Sequence, residues 1–478
     1  MLRTPRHPLK AAGEAAPVAG ARHAARSNGP GGTLGVPGLT LIGVGGIIGA
    51  GFFLGSGLPI RTAGPAVLLA FLLGAVVNAQ VIGALSSLAV DHPEPGAFMT
   101  YAKQYIGPYA GFLEGWTYYI ASILTIASES VAMSIFSHLW IPFVPLWVLT
   151  VIYAAIVLAI NALGVKNFGR AESLMSVMKI AALAGFIVFL AYLLLFPAHD
   201  AALAGRHLAA PWSGRLFPTG ASGLFQSMLI VIFAYAGVGV FSTAASEMRH
   251  PRDVSKAAWM TVVVLTVLYL ASIGLLLWVI PWRQMGLSTS PFVVALQRAG
   301  LPAFADVFNL VILIASFSVM AGAVFAANRI LWGLGEARQG PQFVLAATRR
   351  GVPTGALAVT TGGVGATILV SYLLPANVYA FLISAASFLT FLNWFLILWA
   401  FLSWRRRRAG HSVHISSLAF GQPISSLAMM AFILFLSGYA LVQPAQRLGF
   451  YAFGVLCVLV SIGYFAIPNV RQSAQPER

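Results

Sequence analysis

This sequence predicts an all-α polytopic membrane protein, and three observations carry the expectation. Of its 478 residues, 59% are hydrophobic and only 8% charged, against about 25% charged in a soluble domain. Apolar runs recur from Leu39 to Ile467, each close to the roughly 20 residues a helix needs to cross a bilayer. Two of these runs are interrupted near their middle by glycine, the sequence mark of a discontinuous membrane helix.

In order, the runs are Leu39–Ile60, Ala66–Val90, Tyr109–Phe136, Leu146–Leu163, Ala171–Phe196 and Gly223–Ala245, then Ala257–Ile280, Ala303–Leu334, Gly355–Leu374, Val378–Trp404, Ile424–Val442 and Leu448–Ile467. They predict twelve transmembrane helices, and an even number returns both termini to one side. Charge chooses the side. Lys103, Lys166, Arg249, Arg252, Lys256, Arg329, Arg338 and Arg405 to Arg408 join the basic tails on the N-terminal side, whereas Arg61, Arg206, Arg215, Arg283, Arg298 and Arg447 lie opposite. Basic residues concentrate on cytoplasmic loops, so both termini are expected in the cytoplasm and the protein in the cytoplasmic membrane. The net charge of +16 then reflects topology and the lipid bilayer as partner, with no nucleic-acid-binding pattern beside it.

Residues 1–37, rich in Ala, Gly, Pro and Arg, read as a disordered cytoplasmic tail. Residues 38–404 form a ten-helix core, 405–468 a loop and C-terminal helix pair, and 469–478 a second tail. Phe196 to Thr219 is the longest external loop, with Trp212 as an interfacial aromatic. Cys457 is the only cysteine, which leaves no intrachain disulfide. No metal cluster, cofactor motif or serine–histidine arrangement lies within the runs, so an enzyme is not expected.

The first break places Gly43, Gly45, Gly46, Gly49 and Gly51 within nine positions. Each glycine inside a helix costs roughly 1 kcal/mol relative to alanine, so the run should unwind. Unwound backbone at membrane depth must be buried in protein or line a cavity. Close helix packing is the plainer reading of such glycines. The second break, Phe233 to Gly239, falls in the sixth run. Runs one and six are corresponding members of two five-helix halves, which predicts an inverted repeat with a site between its paired broken helices.

Motifs sharpen the reading. They are Gly46-Ile47-Ile48-Gly49-Ala50-Gly51-Phe52-Phe53-Leu54-Gly55-Ser56-Gly57, Ala63-Gly64-Pro65-Ala66, Pro95-Gly96-Ala97-Phe98-Met99-Thr100-Tyr101-Ala102, and Gly107-Pro108-Tyr109-Ala110-Gly111-Phe112 leading to Gly115-Trp116-Thr117-Tyr118-Tyr119. Ile160-Asn161, Val165-Lys166-Asn167-Phe168-Gly169, and Glu247 with His250-Pro251 follow. With these pieces the chain resembles the amino acid–polyamine–organocation superfamily, and within it the bacterial amino acid permeases that include the gamma-aminobutyrate and aromatic amino acid carriers. The resemblance implies a leucine-transporter-type fold of five plus five helices, discontinuous helices 1 and 6, and two additional C-terminal helices. It also implies amino acid import coupled to protons. Exchange or sodium coupling are rivals within that class, and a nutrient sensor without net transport is the rival outside it.

An amino acid presents a carboxylate and an ammonium. The start of the second half-helix offers free N–H groups and a positive dipole end, so Gly49, Ala50 and Gly51, beside Ile48, are expected to hold the carboxylate. The carbonyls of Ile47, Phe233, Ala234 and Ala236 would accept from the ammonium, near Gly237. Phe233 and Tyr235 would line the side-chain pocket, with Phe233 matching the family's gating aromatic. Ser122, Thr125 and Glu129 share one face of the third run, from which Thr125 and Glu129 would bind substrate or relay protons. Lys179 lies deep in the fifth run, where a charge needs a reason. The resemblance implies a lysine at this place in the role a sodium ion plays in related carriers, so Lys179 is expected to couple protons, with a permanent interhelical ion pair as the alternative. Glu114 reads as structural, and Glu247 as a cytoplasmic gate or a salt bridge with a loop arginine. Many relatives have a glutamate where this chain has Gly239, and its absence favours a neutral substrate.

Overall fold

Inside a membrane every peptide group must find its partner within the protein, and a helix meets that demand locally. The computed structural model describes residues 34–92, 97–164, 168–196, 215–348, 351–373 and 378–466. Among them the regular structure is helical, with one isolated bridge between Leu34 and Met248. Residues 1–33 and 469–478 of the expected tails, Trp212, Pro95, Gly96 and Lys166 lie outside the described residues, whereas 34–37 of the first tail are ordered by the Leu34 bridge and the start of the first helix at Val36.

The first run is three pieces: α1 (Val36–Ile47), α2 (Ala50–Phe53) and α3 (Gly57–Ala63). A single 3₁₀ turn at Gly64–Ala66 leads into α4 (Val67–Asp91). A short α5 (Ala97–Tyr105), not anticipated from sequence, precedes α6 (Pro108–His138), α7 (Leu146–Leu163) and α8 (Phe168–Leu195). The sixth run divides into α9 (Gly220–Ala234) and α10 (Val238–Ala245). Then follow α11 (Asp253–Val279), a second unanticipated short helix α12 (Pro291–Arg298), α13 (Pro302–Glu336), α14 (Thr354–Leu373), α15 (Val378–Arg407), α16 (Ile424–Tyr439) and α17 (Pro444–Ala466).

Ten helical stretches among the described residues are long and apolar enough to cross a membrane. Two of the twelve expected runs do not stand as separate spans by that measure. The break at Gly49 leaves α1 only 12 residues long, and the turn at Gly64, held at φ 60°, lets Ala50–Asp91 run on without a loop. The ninth run supplies the shorter apolar stretch Thr354–Val370.

At the centre α6 packs against α13 and α15, α4 against α11, and α1 is enclosed by α8, α10 and α11. The last two helices pack on α15 from outside. They expose Leu434, Val455, Ile462 and Phe465, the apolar skin expected of a lipid-facing surface.

Contacts define two ends of the bundle. On the N-terminal side, Leu34 exchanges backbone bonds with Glu247 and Arg249 at 3.1 and 2.9 Å, tying the start of α1 to the end of α10. Asp91, at the end of α4, accepts from Trp404 Nε1 at 2.8 Å and pairs with Arg408 at 3.2 Å. Arg407 donates to the Gln104 carbonyl at 2.9 Å. At the opposite end, Thr219 donates to the Thr62 carbonyl at 2.9 Å, and Ser290 to that of Phe53 at 2.8 Å.

Candidate functional site

The first break is held open by two charged side chains. Helix α1 stops at Ile47, Ile48 turns to φ −76°, ψ 101°, and Gly49 is extended at φ −144°, ψ −157°. Any residue can adopt those angles, so glycine is needed here for space. A Cβ on Gly49 would lie 2.8 Å from both Glu129 Oε1 and Val319 Cγ2. Glu129, buried on α6, accepts the Ala50 amide at 3.1 Å. From the other side Lys179 Nζ donates to the Gly45 carbonyl at 2.7 Å, the group a continuous helix would pair with the Gly49 N–H. An anion thus caps the N-terminal end of α2 and a cation the C-terminal end of α1, in the sense the helix dipole favours.

Lys179 is fully buried and has a second partner, Ser318 Oγ, at 2.8 Å. Ser318 donates in turn to Glu172 Oε2 at 2.7 Å, and Glu172 Oε1 lies 3.9 Å from the amine. Glu172 was not anticipated, although an acid seven residues before a deep lysine on one helix lies on the same face. Gly45 makes this cluster possible, because a side chain there would collide with Ser176. Close packing and helix interruption are therefore both served by these glycines.

The second break ends α9 with tight turns: Tyr235 N–H bonds Ile232 at 3.0 Å and Ala236 N–H bonds Phe233 at 2.9 Å. Gly237 then takes φ 127°, a conformation that side chains resist. A Cβ there would also lie 2.6 Å from the Gly46 carbonyl oxygen. The two breaks meet backbone to backbone.

Between them lies a cavity. Near the breaks its wall is Gly46, Ile47, Gly51, Glu129, Phe233 and Ala236. It runs along α6 past Thr125 and Tyr118 toward Phe98 of α5 and Trp394 of α15, that is, toward the N-terminal side. The opposite end is closed by stacked rings. Phe52 lies on Tyr269 with centroids 3.8 Å apart, and Phe292 of α12 meets Phe52 and Phe53 at 5.3 Å and Phe186 at 5.1 Å. All five are buried.

The anticipated residues divide accordingly. Ile47, Gly51, Thr125, Glu129, Phe233, Ala236 and Gly237 are brought together on the cavity wall. Ile48, Gly49, Ala50 and Ala234 shape the breaks from behind it, and two of their groups are already engaged. The Ala50 amide belongs to Glu129, and the Ala234 carbonyl accepts from Tyr269 at 2.9 Å. The Phe233 carbonyl is likewise taken by Ala236 N–H.

Tyr235 is not in the cavity. It turns into the protein, donates to the Phe71 carbonyl at 3.0 Å and stacks near Tyr269, since residues two apart on a helix face different ways. Lys179 stands behind α1. Glu247 pairs with Arg329 at 3.7 Å in solvent-accessible surroundings, where such a pair contributes about 0–1 kcal/mol. Two residues beyond the expectation matter as well: Tyr379 donates to the Ala50 carbonyl at 2.9 Å, and Glu114, read as structural, stands in the cavity wall.

Comparison with known proteins points the same way. The amino acid permease family model matches residues 38–474. The uncharacterized amino acid permease YtnA of Bacillus subtilis (strain 168) is 30% identical over 84% of this chain and 88% of its own length. The amino-acid permease RocC of the same organism is 31% identical over 89% and 92%, and the aromatic amino acid transport protein AroP of Escherichia coli (strain K12) is 28% identical over 89% and 93%. The bundle is thus that of a multi-pass membrane protein whose relatives are transporters, and the chain belongs to the amino acid permease family.

Proposed function

We propose that this chain imports an amino acid across the cytoplasmic membrane by proton symport, with twelve spans arranged as two inverted halves of five and a C-terminal pair, and with both termini cytoplasmic. The observation that carries the reading is the pair of helix breaks facing one cavity, with Glu129 and Lys179 capping the peptide groups that the first break releases. The substrate carboxylate approaches the Gly51 amide, since those of Phe52 and Phe53 bond the Gly49 carbonyl, and its ammonium the carbonyls of Ile47 and Ala236. Glu129 already holds the Ala50 donor, so two carboxylates would meet there unless one is neutralised. A proton on Glu129 removes that conflict, which ties substrate binding to proton binding. Lys179 completes the couple: its amine occupies the carbonyl a sodium ion would seek, and its partner Glu172 can share the proton. The aromatic closure at one end and the cavity extending to the other fit a carrier that exposes its site to each side in turn.

The apolar wall around Phe233 favours a neutral side chain. AroP is described as an aromatic amino acid transport protein, which makes phenylalanine, tyrosine and tryptophan the first candidates. Uptake of radiolabelled amino acids into proteoliposomes tests the proposal. Accumulation should follow an imposed inward proton gradient and ignore a sodium gradient. Flux that appears only with amino acid on both sides would make the protein an exchanger, and binding without flux would make it a sensor.

A further inference from the structure

The cavity end nearest the N-terminal side contains a carboxylate that the proposed cycle does not use. Glu114 is fully buried on α6, and neither of its oxygens has a hydrogen-bond partner or an ion pair among the described residues. An ionised carboxylate in that position is costly unless a cation meets it. Its surroundings are aromatic. Tyr118, one turn along α6, packs on Phe98 with centroids 4.5 Å apart, and Trp394 of α15 lines the same space. Tyr118 sits there because α10 offers Gly239 at the point of contact, where a Cβ would strike the Tyr118 ring and hydroxyl. A carboxylate among aromatic faces is a receptor for an organic cation, through charge and through the ring quadrupoles. Glu114 and Glu129 are fifteen residues apart on one helix, about 22 Å at 1.5 Å per residue. A single amino acid cannot touch both, so Glu114 marks a separate station.

We propose that Glu114, with the rings of Tyr118 and Trp394, forms a second binding site at the inner end of the cavity that takes the primary ammonium group of an amino acid. The site rests on the carrier reading above for its natural occupant, but its chemistry can be probed without transport. The probe is n-butylammonium chloride, which has the ammonium and lacks the carboxylate required at the breaks; butyramide is the uncharged control. The full chain is purified in detergent, and thermal unfolding and tryptophan fluorescence are followed as each is titrated.

The expected result is a melting-temperature rise of a few degrees with n-butylammonium and none with butyramide. Glu114→Gln should reduce the apparent affinity at least tenfold while melting no lower than the parent, because neither carboxyl oxygen has a protein partner to lose. Trp394→Leu should weaken the response about threefold and Trp394→Phe should keep it, which supplies the test if Glu114→Gln does not fold. No response in the parent, or an undiminished response in Glu114→Gln, overturns the site. So does equal binding by the Trp394→Leu and Trp394→Phe variants. A parent that accumulates amino acids yet ignores the probe overturns this site alone. One that binds the probe yet carries no amino acid overturns the carrier reading and leaves the site standing.

Discussion

Replacing Lys179 with methionine separates what the lysine does for the fold from what it does for transport. The side chain fits a similar volume but cannot donate to Gly45 or Ser318, and it leaves Glu172 with the Ser318 bond alone. Both charges are buried, at 0% and 1% side-chain exposure. Removing one member of a buried pair typically costs about 3–5 kcal/mol, and every 1.4 kcal/mol is about tenfold in an equilibrium constant. Titration with SDS in mixed micelles should therefore place Lys179→Met roughly two to three and a half orders of magnitude closer to unfolding than the parent. Adding Glu172→Gln neutralises the stranded acid, so the double variant should recover most of that loss. Transport should not recover with it: proteoliposomes of the double variant should equilibrate substrate without concentrating it against a pH gradient. A double variant no more stable than Lys179→Met would refute the pairing. One that concentrates substrate as the parent does would refute the coupling role.

Three further changes test the breaks and the inner end. Gly49→Ala puts a methyl 2.8 Å from Glu129 Oε1 and Val319; overpacking of this kind costs about 1–3 kcal/mol, and uptake should fall at least tenfold, whereas parent-like uptake would show that the break tolerates a wider opening. Tyr379→Phe removes one of three donors to the buried Ala50 carbonyl, which keeps the Leu54 and Gly55 amides at 2.9 Å; the loss of one hydrogen bond costs about 0.5–1.5 kcal/mol, so thermal stability in detergent should drop slightly while the protein still folds. Arg408→Ala should shift stability by no more than about 1 kcal/mol, because Asp91 keeps Trp404 and both charged partners are part-exposed; a larger fall would mean that this corner governs the fold.

The helices and both breaks were legible because membrane-length apolar runs and clustered glycines leave a one-dimensional mark. So was the polar face of α6, where Ser122, Thr125 and Glu129 all reach the cavity wall. What the sequence concealed depends on direction and on partners. Tyr235 reads like Phe233 until helical rotation is considered, and then only one of them can face the cavity. The Ala50 amide looked free because nothing in the chain says that Glu129, from a different helix, arrives there first. Glu172 drew no notice in the sequence; helix α8 begins at Phe168, and Glu172 is buried beside the lysine. Glu114 lies close enough to the start of α6 to pass for an interfacial residue, and only the packing of α5 and α15 encloses it.

The contact between Gly46 and Gly237 bears on how such a protein diversifies. At that point a Cβ on Gly237 would lie 2.6 Å from the Gly46 carbonyl oxygen and 2.9 Å from Ile47 Cγ1, so a side chain at Gly237 cannot be enlarged by degrees. The cavity wall at Phe233, Thr125 or Ala236 can change one step at a time, while Gly237, at φ 127°, has no neighbouring solution to drift into.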